Sequence, residues 1–392
     1  MVPAILPTYA RADVDFASGK GSWLFDRDGK RYLDLGAGIA VNCLGHAHPE
    51  LVSVLKRQAE TLWHTSNLYP VANQQALAER LVRKTFADTV FFTNSGTEAM
   101  ECAVKMARKY FAGDGGIPRN KIVTFEGSFH GRSLGMISAA GGKKLVDGFG
   151  PLLPGFVHVP FGDIVAVESA VDHETAAIMV EPVQGESGIN PAPKGFLRDL
   201  RVLCDRHGIL LVLDEIQCGM GRTGKLFAHE SEGITPDIMG IAKGIGGGFP
   251  LGACLATEKA AAGMVVGTHG STFGGNPLAC AVGMAVMDIV SEIGFLEGVQ
   301  ERAAALRLRL ADLVDAHGEV FSGVRGAGLM LGLVCKPVNT DVIAAGVGEG
   351  VITIPAGDNV ARVLPPLNIS LQEIEEGVRR LGLAARSIEA RV

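Results

Sequence analysis

Apolar positions follow two rhythms along the chain. Short, nearly unbroken apolar runs occur at "TVFFT", "KIVTF", "AAIMVE", "ILLVLDE" and "DIMGIAK". Between them the spacing is that of amphipathic helices, notably over Thr97–Phe111 and Lys194–His207. Strands alternating with such helices predict an α/β fold with a mostly parallel sheet. Helical spacing also predicts helices over His48–Leu62 and Gln74–Phe86. Upstream, "GSWLFDRDGKRYLDL" holds two β-like runs joined by Asp28-Gly29, a hairpin signal. Downstream the texture changes. Helical stretches over Pro277–Ile293, Leu296–His317, Asn339–Glu349 and from Leu371 alternate with "GLMLGLV", "GVITIPA" and "ARVLPPL". That pattern predicts a smaller α+β domain. We divide the chain into an N-terminal segment (1–48) packing with the small domain, a large domain (49–285) and a small C-terminal domain (286–392).

The 392 residues are enough for a deep site between two such domains. Fifty-two glycines imply many tight turns and close backbone approaches. A net charge of −6 without a long basic run argues against nucleic acid as the main partner. The seven cysteines form no C-x-x-C pair, and several sit in apolar runs, so they read as buried, reduced thiols of a cytoplasmic protein. The first residues lack a signal-peptide pattern. No run approaches the roughly 18 apolar residues of a membrane span, so the chain reads as soluble, without a membrane partner. The charges from Leu371 to Ala390 alternate like a solvated helix face.

Ligands of an open α/β sheet sit beyond the carboxyl ends of its strands. All five runs end in residues that chemistry can use: "NSGTEAME", "EGSFHGRS", "EPVQGESG", "DEIQCGMGRTG", and Lys243 with "GIGGGFP". Ser95-Gly96-Thr97 opens a helix, whose free N–H groups and dipole make a phosphate seat. The same residues also spell a plain capping box, Ser95-x-x-Glu98. A desolvated Lys243 would be a nucleophilic amine able to condense with an aldehyde, whereas a surface lysine would merely snorkel. Asp214 ends the most apolar run, and an unpaired buried carboxylate is costly. Its partner is either an arginine in a structural ion pair or the protonated ring nitrogen of pyridoxal 5′-phosphate. Asp214 and Lys243 on successive strand ends supply the two groups that cofactor requires.

Gly219–Gly224 has the spacing G-x-G-x-x-G of a dinucleotide turn. A true dinucleotide turn follows its strand directly and opens a long helix. Here polar positions intervene, and "KLFAHESEGITPD" is poorly periodic. An NAD-dependent oxidoreductase is therefore the remote alternative.

With "FHGRS", "AKGIGGG" and "GTHGSTFGGNPLACA" added, these motifs resemble the class III aminotransferases, pyridoxal-phosphate enzymes of fold type I. The resemblance runs from about Tyr9 to the C-terminus. "AGIAVNCLGHAHP", "HTSNLY" and "RVLPPLNIS" resemble the acetylornithine aminotransferase subgroup. It implies a homodimer with shared sites. It makes Lys243 the catalytic lysine, Asp214 the partner of the ring nitrogen and Gln217 the neighbour of the ring hydroxyl. Phe129 and Ile216 cover the ring faces. Ser95, Gly96 and Thr97 hold the phosphate, and Thr272 reaches the phosphate of the neighbouring subunit. Arg132 binds the substrate carboxylate far from the reacting amine, and Arg362 the one beside it. Glu186 masks Arg362 when the substrate has no carboxylate there. Ile39 stands where relatives acting on free ornithine carry tyrosine, which suits an acylated amine. Tyr9 and Ser271 join the substrate side. Glu181 is a supporting group, His130 receives no role, and no metal ligand is assigned. The implied reaction is ping-pong transfer from N-acetyl-L-ornithine to 2-oxoglutarate, giving glutamate, in arginine biosynthesis. Other class III amine donors are the alternatives: succinyldiaminopimelate, succinylornithine, 4-aminobutyrate or ornithine.

Overall fold

The computed structural model describes residues 2–112 and 119–390. At its centre lies a seven-stranded sheet in the order Thr89–Thr93, Gly252–Ala256, Ile238–Ile241, Leu210–Asp214, Thr175–Val180, Lys121–Phe125, Phe156–Val159. Neighbours are parallel, except that Gly252–Ala256 runs against both of its neighbours. Thr175–Val180, Leu210–Asp214 and Ile238–Ile241 are buried along their whole length, which is why they read as unbroken apolar runs.

Side chains alternate between the two faces of the sheet. Leu211 and Leu213 join the core that holds Leu197, Leu200 and Leu203 of the helix Phe196–His207. Leu210 and Val212 join the opposite core, with Met100, Ala103 and Met106 of the helix Gly96–Tyr110. Two strands were not legible in the sequence. Phe156–Val159 is a short edge strand. Gly252–Ala256 is built largely of small residues, and the glycine-rich turn before it reverses the chain.

A second, antiparallel sheet has the order Phe321–Ala327, Met330–Cys335, Val360–Val363, Ile354–Ala356. Helices Phe295–Ala316, Asn339–Gly348 and Leu371–Glu389 accompany it. The last of these is charged on one face only. Ile374, Leu381, Ala385 and Ile388 of its other face are buried. Near the N-terminus, Phe16–Lys20, Trp23–Asp26 and Arg31–Asp34 form a meander, which Val351–Ile352 extends in parallel. Trp23 Nε1 also donates to Glu373 at 3.0 Å. The helix Pro277–Val290 runs through residue 285 and packs on Pro49–Ala59 and Ala72–Lys84. Among the described residues, no single helix is long and apolar enough to cross a membrane.

Candidate active site

The carboxyl ends of the parallel strands open onto one cavity of about 410 Å³. Ser95, Gly96, Thr97, Phe129, Arg132, Glu186, Asp214, Ile216, Gln217 and Lys243 all line it. The sheet thus gathers residues up to 148 positions apart in sequence (Ser95 to Lys243). Gly248–Leu251 line it too, because they lead into the antiparallel strand, whose Gly252 pairs with Thr93 at the same edge.

Asp214 is 4% exposed. Its Oδ1 accepts from the Ile216 N–H (3.1 Å), and its Oδ2 pairs with His130 Nδ1 at 2.8 Å. Among the protein's own groups, the partner of this buried carboxylate is therefore a histidine rather than an arginine. Burial alone would depress the His130 pKa; the hydrogen bond and charge of Asp214 outweigh it and raise it. Among the described residues, His130 Nε2 is buried without a partner. His130 has no role legible in the sequence, since only folding brings "FHGRS" beside "LDE". Glu181 accepts from the N–H groups of Phe129 (2.8 Å) and Gly185 (3.3 Å). Burial, with Asp214 adding to it, pushes the Glu181 carboxyl up to about 8.

Lys243 follows its strand with φ +48°, a left-handed conformation uncommon for a lysine. It is partly exposed, and it faces the cavity. Burial lowers its pKa, with Arg362 adding to the effect, while Glu186 and Asp214 oppose it. A lowered lysine pKa makes the free amine available nearer neutrality. At another wall, Ser95 Oγ caps the helix by accepting from the Glu98 N–H (3.4 Å). The reciprocal arm of the capping box goes to Asn94 instead, whose N–H donates to Glu98 at 2.6 Å. Capping and the seat at the helix start therefore coexist.

Arg362 is 2% exposed. It makes a two-pronged pair with Glu186, Nη1 to Oε1 at 2.6 Å and Nη2 to Oε2 at 3.2 Å. It also donates to Pro355 O at 2.8 Å and to Gln217 Oε1 at 3.4 Å. Burial would raise the Glu186 pKa, but Arg362 overrides it, so the carboxyl lies below its usual range. Arg132 is exposed and lines the cavity, its guanidinium 5.6 Å from the centre of the Phe129 ring. Arg362 does not line it; it lies behind the wall, bonded to the lining residues Glu186 and Gln217.

The remaining expected residues are placed differently. Ile39 sits on a turn whose Ala37, Gly38, Ile39 and Ala40 all have positive φ, a left-handed helical turn. Its neighbour Val41 reaches the cavity. Ser271 and Thr272 line a separate open groove with Asn67, Leu68 and Phe91. Tyr9 is 77% exposed and outside the cavity. Cys218 is buried against Asp214 and Glu215, and burial raises its thiol well above the ordinary value. It is a small core neighbour rather than a reactive thiolate.

The glycine-rich turn does not offer a phosphate cradle. The N–H groups of Gly219, Gly221, Arg222 and Gly224 bond to the carbonyls of Glu215 (2.9 Å), Leu226 (3.0 Å), Gly219 (3.2 Å) and Gly221 (3.0 Å). Only a short 3₁₀ turn, Ala228–Glu232, follows it.

The donor set fits pyridoxal 5′-phosphate. It offers a buried carboxylate for a ring nitrogen, an amine of lowered pKa for an aldehyde, a helix start for a phosphate, and Phe129 and Ile216 as apolar walls. Comparison with known proteins agrees. The family model for class-III aminotransferases matches residues 7–384. The acetylornithine aminotransferase of Rhodobacter capsulatus is 61% identical over 99% of this chain and 99% of that protein. The N-acetylornithine aminotransferase of Stenotrophomonas maltophilia K279a has a TM-score of 0.86 at 41% identity, covering 98% of each chain. The ornithine aminotransferase of Toxoplasma gondii ME49 has a TM-score of 0.95 at 30% identity, covering 99% of this chain and 94% of that one.

Proposed function

The chain belongs to the class-III aminotransferases, which work with pyridoxal 5′-phosphate, and from that premise we propose that it transfers the δ-amine of N-acetyl-L-ornithine to 2-oxoglutarate. The donor leaves as N-acetylglutamate 5-semialdehyde, and the acceptor becomes glutamate. The step belongs to arginine biosynthesis. The observation that carries this reading is the masked Arg362. N-acetylornithine has a bare CH₂ beside its reacting amine, and its carboxylate lies far off. Glutamate has a carboxylate at both places. A guanidinium paired with Glu186 at 2.6 Å is satisfied while the first substrate is bound. Released from Glu186, it can grip the second in a two-pronged pair.

When bound, the cofactor supplies the aldehyde that takes up the amine and a ring that accepts the electron pair. The chain's own residues do the rest. Lys243 is the amine that would hold the cofactor, and its Nζ would carry the proton at the substrate's reacting carbon. Asp214 would hold the ring nitrogen, and His130, paired with it at 2.8 Å, keeps its carboxylate in place. Ser95, Gly96 and Thr97 hold the phosphate, and Gln217 meets the ring hydroxyl. Phe129 and Ile216 keep water from the ring faces. Arg132 orients the distal carboxylate. Ile39 offers no hydroxyl to a free α-amine and so favours an acylated one. Tyr9 and Ser271 border the substrate side.

We propose further that two copies pair, so that Thr272 of one reaches the phosphate of the other. Support comes from Trp63, Leu68, Tyr69 and Phe273, which are 64%, 86%, 67% and 59% exposed. Trp63 and Phe273 also line a groove with Phe249 and Pro250, beside the active cavity. We assign the units 1–48, 49–285 and 286–392. The pairing of Arg31–Asp34 with Val351–Ile352 supports joining the first unit to the third. The seven buried free thiols suit the cytoplasm.

The test is spectroscopic. N-acetylornithine alone should bleach the visible band of the cofactor-loaded enzyme, and 2-oxoglutarate should restore it. A band that responds to free ornithine or 4-aminobutyrate, and not to N-acetylornithine, overturns the donor assignment.

A further inference from the structure

In the turn Gly219–Gly224 the N–H groups of Gly219, Gly221, Arg222 and Gly224 are taken up within the protein, and its arginine is buried. Arg222 is 2% exposed. Its Nη1 donates to Leu329 O at 3.2 Å and also to Pro365 O. In return, its own carbonyl accepts from the Leu329 N–H at 3.0 Å. Among the described residues no carboxylate pairs with it and Nη2 is buried without a partner, and burial lowers its pKa to about 10. A buried guanidinium bonded only to carbonyls is costly, so what it holds needs an explanation.

Both carbonyls flank the strands that present Arg362. Leu329 immediately precedes the strand Met330–Cys335, whose Gly332 pairs with Arg362. Pro365 lies three positions beyond Arg362 on its own strand's exit. The other end of the link is the loop that starts at Asp214 and carries Gln217. The rest of the turn docks on the same C-terminal unit. A Cβ on Gly221 would meet Leu367 at 3.0 Å and Leu296 at 3.2 Å. Gly328, with φ +57°, lets Thr223 approach, since a Cβ there would lie 2.5 Å from the Thr223 backbone. Gln300 Nε2 donates to Gly224 O at 2.7 Å.

We propose that Arg222 is a positioning residue for Arg362. It fixes the two strands of the C-terminal unit to the Asp214 loop, and so sets where the Arg362 guanidinium meets the carboxylate beside the reacting carbon of 2-oxoglutarate. This rests on the reading of Arg362 given above. In a ping-pong scheme each kcat/KM reports its own half-reaction, and this separates a positioning role from a general structural one.

The experiment compares Arg222→Lys, Arg222→Gln and Arg362→Lys in the cofactor-loaded enzyme. It measures kcat/KM for 2-oxoglutarate and for N-acetylornithine, and the calorimetric Kd of glutarate, an inert dicarboxylate. We expect kcat/KM for 2-oxoglutarate to fall about tenfold or more in Arg222→Gln, as misplacing a binding group does. The Kd of glutarate should rise in parallel, and lysine should recover part of the loss. The value for N-acetylornithine should stay within about twofold. An unchanged value for 2-oxoglutarate, or equal losses in both half-reactions in both Arg222 variants, overturns the proposal. If Arg362→Lys itself spares 2-oxoglutarate, the reading of Arg362 fails independently, and the proposal falls with it.

Discussion

At the scale of single residues, the site is governed by which buried charges find partners. Among the described residues, Asp214 has His130, Glu186 has Arg362, and Glu181 has two N–H groups and lies near Asp214. Glu181 therefore keeps its proton in the folded chain up to about pH 8, whereas an ordinary glutamate releases it near 4.5. Between those values the folded state binds more protons than the unfolded one, so stability falls as pH rises through the window. The raised pKa of His130 has the same sign, but it acts only above the ordinary histidine value of 6.5. In the cofactor-free protein, Glu181→Gln should flatten the loss of Tm between pH 5 and 6.5, a range below the His130 window. A Tm profile parallel to that of the unsubstituted protein there would show that Glu181 is ionised on folding.

At the scale of elements, the turn carrying Ile39 is the costly one. Left-handed conformation costs about 1–2 kcal/mol for each non-glycine residue, and Ala37, Ile39 and Ala40 all adopt it. Asp34 holds the turn. Its Oδ1 accepts from the N–H groups of Gly36 (2.9 Å) and Ala37 (2.8 Å), while Oδ2 pairs with His46 Nε2 at 2.7 Å. Asp34→Ala strips acceptors from two buried donors and should cost about 2–4 kcal/mol. Hydrogen exchange should quicken first at Ala37–Val41. Unchanged protection there would mean that packing alone sets the turn. Nothing in "DLGAGIAVN" announces left-handed helix, because alanine and isoleucine avoid it, and only the Asp34 cap and the packing around the turn impose it.

At the scale of the whole molecule, one chain leaves Thr272 in a groove apart from the cavity. Mixing two inactive variants tests whether the site is shared. In a heterodimer of Lys243→Ala and Thr272→Ala subunits, one site would carry both defects and the other neither. Dissociation and reassociation at limiting cofactor should restore turnover toward one site per dimer. No recovery, with heterodimers present by native mass spectrometry, would place Thr272 in its own subunit's site.

The sequence by itself determined the two rhythms of apolar residues, and with them the sheet, its flanking helices and the strand ends where Lys243 and Asp214 stand. Burial on both faces writes an unbroken apolar run directly into the chain, and ligands collect where such strands stop. Family motifs carried the pairing of Glu186 with Arg362, which the fold brings within 2.6 Å. Tertiary structure alone decided that His130 pairs with Asp214, that Ile39 rides a left-handed turn, and that Arg222 of the glycine-rich turn meets the carbonyls of Leu329 and Pro365. Each depends on contacts between residues far apart in the chain, such as the 143 positions from Arg222 to Pro365. A local pattern cannot encode a partner that only folding delivers.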